Sequence, residues 1–352
     1  MSRKSLFIIV LSGCILFSCN KDEIYIPQEP DDVLQVPANF PPLPQQPDYP
    51  ITEAGVALGR KLFFDTRLSG NNQVSCASCH VPSLAFTEGS TLSTKGISGN
   101  PLLRHVPALI NLAWADNGLF WDGGSANLES QAFAPLGHKD EMFQNLDELE
   151  KDLKNDQYYP LFFQDAFDSQ IRINLVMKAL AQYQRTLVSA NSKYDYVVRG
   201  EKDAVFNEVE ERGFQLFNQK CAACHKPELF TDNDYHNNGL DEDFTDVGED
   251  EIYLGRFRVT RNPDDIGKYK TPTLRNIAVT GPYMHDGRLD NLKAVLDFYA
   301  TEIKDSKTLD PILKENGRLG VDLNEEDKKA LIAFLNTLTD ETFLNNEEFT
   351  EY

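Results

Sequence analysis

The chain carries 352 residues, with 55 acidic side chains against 34 basic ones and a formal net charge of −21. Such a surface excludes nucleic acid and anionic lipid headgroups as electrostatic partners, and the length allows about two domains, each able to bury its own core. Acidic density peaks over Asp241-Glu242-Asp243, Asp246 and Glu249-Asp250-Glu251, a run that reads as a solvated loop or as a surface steering a cationic redox partner.

Arg3 and Lys4 precede an apolar run from Leu6 to Phe17 that is too short to span a bilayer and closes on Leu16-Phe17-Ser18-Cys19. This is the pattern of a cleaved export signal over 1–19. It resembles a bacterial lipoprotein signal, which implies a lipid anchor on Cys19; Leu11-Ser12-Gly13-Cys14 competes, but leaves a very short apolar run. Asn20-Lys21-Asp22-Glu23 reads as a solvated tether or as a surface-export signal. No later segment is long and apolar enough to cross a membrane, so the expected place is the cell envelope, lipid-anchored on its periplasmic or outer surface. Over 20–50, prolines including Pro41-Pro42 and Pro44, with no sustained apolar period, predict an extended tether.

Cys76-Ala77-Ser78-Cys79-His80 and Cys221-Ala222-Ala223-Cys224-His225 carry the chemistry. In a C-x-x-C-H string both thiols can bond to the vinyl groups of haem while the adjacent His ligates the iron. Zinc is the competing reading of two C-x-x-C pairs, and a redox dithiol or disulfide that of one. Zinc would require the pairs to meet, whereas here they stand far apart and each carries its own His. The four cysteines outside the leader are all used, which leaves no disulfide framework. Two covalent haem c groups are expected, on Cys76, Cys79, Cys221 and Cys224, with His80 and His225 on the irons.

Gly59-Arg60-Lys61-Leu62-Phe63 precedes the first string and Gly213-Phe214-Gln215-Leu216-Phe217 the second, predicting a helix and haem-binding turn used twice. Between them, Leu175, Ala179, Tyr183, Leu187 and Val188 fall on or near one helical stripe over 174–198, punctuated by Gly200. A last helix starts at Asn324 as N-cap and buries Leu331, Phe334, Leu335 and Leu338. Strand signals are sparse, and 87–101 and 231–250 read as loops over haem edges. The expected fold is all-α: two cytochrome c-like haem domains, 51–200 and 201–352, with long irregular loops.

The second axial position of each iron separates catalysis from electron transfer, because a protein ligand makes a relay and an open position admits peroxide. The candidates lie in Arg104-His105-Val106-Pro107, Phe120-Trp121-Asp122-Gly123-Gly124, Glu129-Ser130-Gln131-Ala132, Pro135-Leu136 and Asp140-Glu141-Met142, then in Lys270-Thr271-Pro272-Thr273-Leu274-Arg275-Asn276 and Thr280-Gly281-Pro282-Tyr283-Met284-His285-Asp286-Gly287. From about Leu58 to Leu338 the chain resembles the di-haem bacterial cytochrome c peroxidases, the family that includes the MauG branch.

The resemblance implies that the N-terminal haem is peroxidatic. Gln131, Pro135 and Glu141 would line its distal pocket, Glu141 would move the peroxide proton, and Trp121 would lie between the haems. The residue types suit these tasks: a carboxylate can shuttle the proton, worth about 10²–10⁴ in rate, an amide can hold peroxide, and proline offers no N–H. Without the resemblance, Glu141 reads as a capping or surface carboxylate and Trp121 as a core aromatic. Many relatives cap the first iron with a histidine from the following loop, but none stands between His80 and Arg104, which implies an ungated site.

The resemblance also implies a calcium ion between the domains, bound by the carbonyls of Thr280 and Pro282. His105 stands where the family has a calcium-binding asparagine, and reads as a replacement ligand, a distal ligand or a buried hydrogen-bonded histidine. For the second haem, Met284 is the choice from the residues alone, whereas the family position falls on Tyr299, as in the MauG branch. Tyrosinate favours ferric and higher states. The implied function is reduction of H₂O₂ to water, with electrons entering through the C-terminal haem from a small cytochrome c or cupredoxin. The alternatives are MauG-like oxidation of a protein or organic substrate, and a non-enzymatic di-haem electron carrier. Relatives are often homodimers, although no interface is legible here.

Overall fold

Thr52 opens the first helix, α1 (Glu53–Phe64), by accepting the Gly55 N–H on its hydroxyl at 3.0 Å. The computed structural model describes residues 33–44, 49–315 and 317–351. The export segment, Cys14, Cys19 and the charged run after it lie outside the described residues. The principal helices that follow are α2 (Leu146–Asn155), α3 (Tyr159–Phe167), α4 (Ile173–Arg185), α5 (Lys193–Arg199), α6 (Glu208–Lys220), α7 (Leu292–Asp297) and α8 (Glu325–Asn336). Strand among the described residues is limited to two antiparallel ladders of two residues a side, Tyr235–His236 with Tyr269–Lys270 and Lys314–Glu315 with Arg318–Leu319. The molecule is helix-rich, with two cytochrome c-like domains and little strand.

The repeated pentapeptide has a structural counterpart at two helix crossings. α1 packs on α4 at Gly59, where an added Cβ would stand 2.0 Å from the Ala179 carbonyl oxygen and 2.9 Å from the Tyr183 Cβ. α6 packs on α8 at Gly213, where it would stand 2.0 Å from the Ala330 carbonyl oxygen and 2.8 Å from the Phe334 Cβ. In both places only a hydrogen lets the backbones approach this closely. Four residues on, Phe63 meets Tyr183 at 5.3 Å and Phe86 at 5.8 Å between ring centroids, and Phe217 meets Phe334 at 5.1 Å and Phe230 at 5.5 Å. Each core is thus built on the same three aromatic positions.

Three expectations are corrected. The stripe over 174–198 is two helices: α4 stops at Arg185, and α5 starts behind Ser192, which caps Asp195 while Asp195 caps back. The break is held open by Asn111, whose Nδ2 donates to the Ser189 carbonyl and whose Oδ1 accepts the Ser189 N–H. The cores also do not divide at residue 200. Tyr194 of α5 packs at 4.9 Å on Phe230 in the second core, while Phe343 and Phe349 near the chain end each pack at 5.9 Å on Phe86 in the first. Finally, the described part of the proline-rich stretch is no free spacer over Val33–Pro44. Leu34 and Phe40 are buried beside Trp114 and Ala190, and the Trp114 Nε1–H donates to the Pro41 carbonyl at 2.8 Å.

The final helix follows the expectation: Asn324 caps α8 and receives Asp327 in return, with Leu331, Phe334 and Leu335 buried and Leu338 buried just beyond it.

Candidate functional site

Cys76–Cys79 forms one helical turn, and the His80 N–H closes it on the Cys76 carbonyl at 2.9 Å; the His225 N–H does the same on Cys221 at 3.0 Å. Each turn therefore sets two sulfurs and an imidazole on one short rigid piece. The imidazoles are fixed alike, since His80 Nδ1 lies 2.7 Å from the Phe86 carbonyl and His225 Nδ1 lies 3.2 Å from that of Phe230. Phe86 and Phe230 take left-handed backbone at φ 60° and 56°, a conformation costly for an aromatic residue and held by its buried ring. With Nδ1–H committed to a carbonyl, the Nε2 lone pair is free for a metal.

The thiols are unpaired with one another. Burial pushes both Cys76 and Cys221 up to about 12, and among the described residues no cluster of metal-binding side chains brings the two cysteine pairs together as a shared zinc site would need. Burial also drives His80 down to about 4 and lowers His225, keeping both as neutral ligands. These donors fit covalently bound haem c on both strings. Cys224, Asp232 and His236 offer atoms within 4.8 Å of one another, but Cys224 belongs to the second string and the three make no separate site.

A cavity of about 340 Å³ runs along the second string, lined by Cys221, Cys224, His225, Met284, Tyr299 and, further out, Trp121 and Gln131. α7 widens into a π-turn, Phe298–Glu302, which carries Tyr299 to the cavity wall; such turns commonly mark functional positions. Met284 reaches the same place from a left-handed residue at φ 75°. The Asn238 Nδ2 lies 3.4 Å from both the Met284 sulfur and the Tyr299 hydroxyl, so the two candidate ligands converge. Burial pushes the Tyr299 phenol up to about 12, against the opposing Asn238 hydrogen bond.

Around the first string, Glu141 is held by its backbone: Ile97 N–H donates to the Glu141 carbonyl at 2.7 Å and Gly70 N–H to that of Met142 at 2.8 Å. Gly96 must be glycine, because a Cβ there would stand 1.8 Å from the Asp140 carbonyl. Burial raises the Glu141 carboxyl, His138 opposes and Asp140 adds to the rise. Its charge in turn bears on Cys76 and Cys79, which sets it beside the first string. Gln131 is buried, and its Oε1 meets no hydrogen-bond partner, an unused acceptor on the cavity wall. Pro135 sits half-buried in the short helix Phe133–Gly137 and accepts the Met142 N–H on its carbonyl at 3.1 Å. Pro135 and Glu141 do not reach the large cavity.

Trp121 bridges the halves. Its Nε1–H donates to the His105 carbonyl at 2.8 Å and its own carbonyl accepts the Lys270 N–H at 2.7 Å. Next to it, buried Asp122 takes Arg258 at 2.9 Å. His285 is buried and stacks on Tyr269 at 3.6 Å, and burial drives it down to about 3. His236 lies between Asp232 at 3.0 Å and Asp310 at 2.5 Å and is pushed up to about 11, chiefly by Asp232.

The calcium ligands do not fit a cation. Thr280 and Pro282 line the cavity beside His105, and the Thr280 carbonyl is taken by the His105 ring. Its Nδ1 lies 3.0 Å from the Ser90 carbonyl and 3.4 Å from that of Thr91, its Nε2 lies 3.4 Å from Thr87 Oγ1, and the Thr280 carbonyl also faces the ring. A six- to eight-oxygen shell is replaced by an imidazole donor. Sequence reasoning missed Asn238 and His138, as well as the Phe86 and Phe230 carbonyls. The last pair had a signal, an aromatic residue five or six positions after each string; Asn238 had none.

Comparison with known proteins agrees with this geometry. The family model for di-haem cytochrome c peroxidase matches residues 53–203, and that for cytochrome c matches 210–339. The methylamine utilization protein MauG of Methylorubrum extorquens is 40% identical over 82% of this chain and 79% of its own length. The cytochrome-c peroxidase IdrP1 of a Pseudomonas strain is 34% identical over 86% and 85%. A crystal structure of a MauG-like protein associated with microbial copper homeostasis superposes with a TM-score of 0.79 at 32% identity, covering 90% of this chain and 97% of the other. The chain belongs to the di-haem cytochrome c peroxidase family, and is a haem oxidoreductase with covalently bound haem c.

Proposed function

We propose that the protein reduces H₂O₂ to water at the N-terminal haem and draws its electrons through the C-terminal haem from a small redox protein, a cytochrome c or cupredoxin. The observation that carries this reading is the asymmetry of the two strings. The first has a half-buried Glu141 beside it whose carboxyl burial raises, while the second has two side chains, Met284 and Tyr299, converging on the cavity that His225 lines. Haem iron, when bound, supplies the electron-transfer chemistry that cleaves the O–O bond. Gln131 orients peroxide, Pro135 keeps a wall without an N–H donor, and Glu141 takes a proton from one peroxide oxygen and returns it to the other. Trp121, tied to both halves, serves as the stepping stone between the sites. Export to the cell envelope on a Cys19 lipid anchor accords with thioether-bound haem, and the function as proposed needs no second subunit.

Tyr299 favours a second reading, in which the oxidising power is directed at a protein or organic substrate. The two separate in one assay: peroxide is added to the ferric holoprotein with either a reduced cytochrome or an organic reductant. Turnover with the cytochrome supports the peroxidase; oxidation of the organic substrate alone supports the second reading. A ferric spectrum inert to both peroxide and cyanide would leave only an electron carrier.

A further inference from the structure

We propose that the Lys270 ammonium anchors a carboxylate of the C-terminal haem, one of its propionates, where the cavity along the second string meets Trp121. Lys270 lines that cavity together with Cys224, His225 and Trp121. Its backbone leaves it little freedom: the Lys270 N–H donates to the Trp121 carbonyl at 2.7 Å, and Tyr269–Lys270 is laddered to Tyr235–His236.

The side chain is half-buried, and its Nζ donates to the Asn233 carbonyl at 2.7 Å and the Asn117 carbonyl at 3.1 Å. An ammonium has three N–H groups, so one is left. Both partners are neutral oxygens, and among the described residues no carboxylate stands within ion-pair distance of Lys270. Asp116, Asp232 and Asp234 act on it from further off. Two of these are already engaged, Asp232 with His236 at 3.0 Å and Asp234 with the Tyr235 N–H at 2.9 Å.

Arg256 sharpens the imbalance. Its guanidinium lies over the same Tyr235 ring as the Lys270 ammonium, 4.2 Å against 5.0 Å from the centroid. Among the described residues it too bonds carbonyls alone, those of Asp122 at 2.9 Å and Gly123 at 3.3 Å. Burial lowers Lys270 to about 8, and the Arg256 charge adds to the fall against the pull of the three acids. A chain of net charge −21 thus keeps two cations around one ring without an acid of their own, beside the cavity of a haem-binding string. A charge withdrawn from water needs an anion to pair with, and haem c brings carboxylates that the protein does not supply here.

The test uses the holoprotein with Lys270→Gln and Lys270→Arg. An unpaired propionate favours the extra positive charge of ferric iron, so Lys270→Gln should lower the reduced-to-oxidised ratio of the C-terminal haem about ten-fold at a fixed potential, a fall of about 59 mV in its midpoint, followed by spectroelectrochemistry. Lys270→Arg keeps the charge and should hold the midpoint near wild type, while it shifts the propionate bending band in the resonance Raman spectrum, because a guanidinium fork donates differently from an ammonium. An unmoved midpoint in Lys270→Gln overturns the anchor and leaves Lys270 as a tie between the Asn117 and Asn233 carbonyls. An equal fall in both variants also overturns it, since packing and not charge would then set the potential. If Lys270→Gln does not take up haem, the arginine variant decides alone, and an unmoved propionate band there overturns the anchor. Neither readout involves peroxide, so a negative result leaves the peroxide reading standing.

Discussion

Asn238 holds Met284 and Tyr299 at one distance from one amide, so both side chains reach one place on the cavity wall that His225 also lines. Burial raises the Tyr299 phenol to about 12, so its proton leaves near neutral pH only against the charge of ferric iron. Tyr299→Phe should therefore change the low-spin ferric spectrum of the C-terminal haem, while Met284→Leu leaves it alone; the reverse pattern would assign the methionine. His105 shows the same logic in another form, a side-chain donor filling oxygens that a hard cation would need. Metal analysis should find no calcium bound per chain, and a chelator should leave the thermal unfolding midpoint unmoved.

At the level of helices, the two Gly crossings carry the fold. A methyl group at Gly59 or Gly213 meets a carbonyl oxygen at 2.0 Å, and a backbone atom cannot swing aside as a side chain can. Either substitution by Ala should force the pair apart and lower stability by about 1–3 kcal/mol, read from the urea midpoint of the holoprotein. Gly200, by contrast, ends α5 at φ 65° with no atom near an added Cβ, so Gly200→Ala should cost only the strain of a left-handed alanine, about 1 kcal/mol.

Across the molecule, one buried ion pair joins the parts. Arg275 and Asp195 are both fully buried and meet through two bonds of 2.9 Å, while Asn39 and Ser192 fill the remaining acceptor sites of the carboxylate. Burial raises the Asp195 carboxyl, but Arg275 and then Ser192 and Asn39 outweigh it and hold it below the usual carboxylate range. A depressed folded value means that this stabilisation is present above the unfolded value of about 3.9 and is lost as pH falls through the folded one. Arg275→Met leaves a buried charge without a partner and should cost about 3–5 kcal/mol near neutral pH. In that variant the carboxyl is raised instead, so its deficit against wild type should shrink as the pH approaches 4 or so; urea unfolding at the two pH values checks it, and a constant gap would contradict the pairing.

What the linear chain determined is whatever depends on neighbours in sequence. The two C-x-x-C-H strings, the twin pentapeptides around Gly59 and Gly213 and the Asn324 cap are local, so spacing alone exposes them. The family motif named Gln131 and Glu141 together, whereas Gln131 lines the large cavity and Glu141 stands beside the first string. What only the tertiary structure decided depends on groups far apart in the chain: Asn111 interrupting the 174–198 stripe, Leu34 and Phe40 pinning a proline-rich stretch, Phe343 returning to the first core, and Asn238 between Met284 and Tyr299. A hydrogen bond or a van der Waals contact has a range of a few ångströms, and which distant residues come within it is settled by how the helices pack.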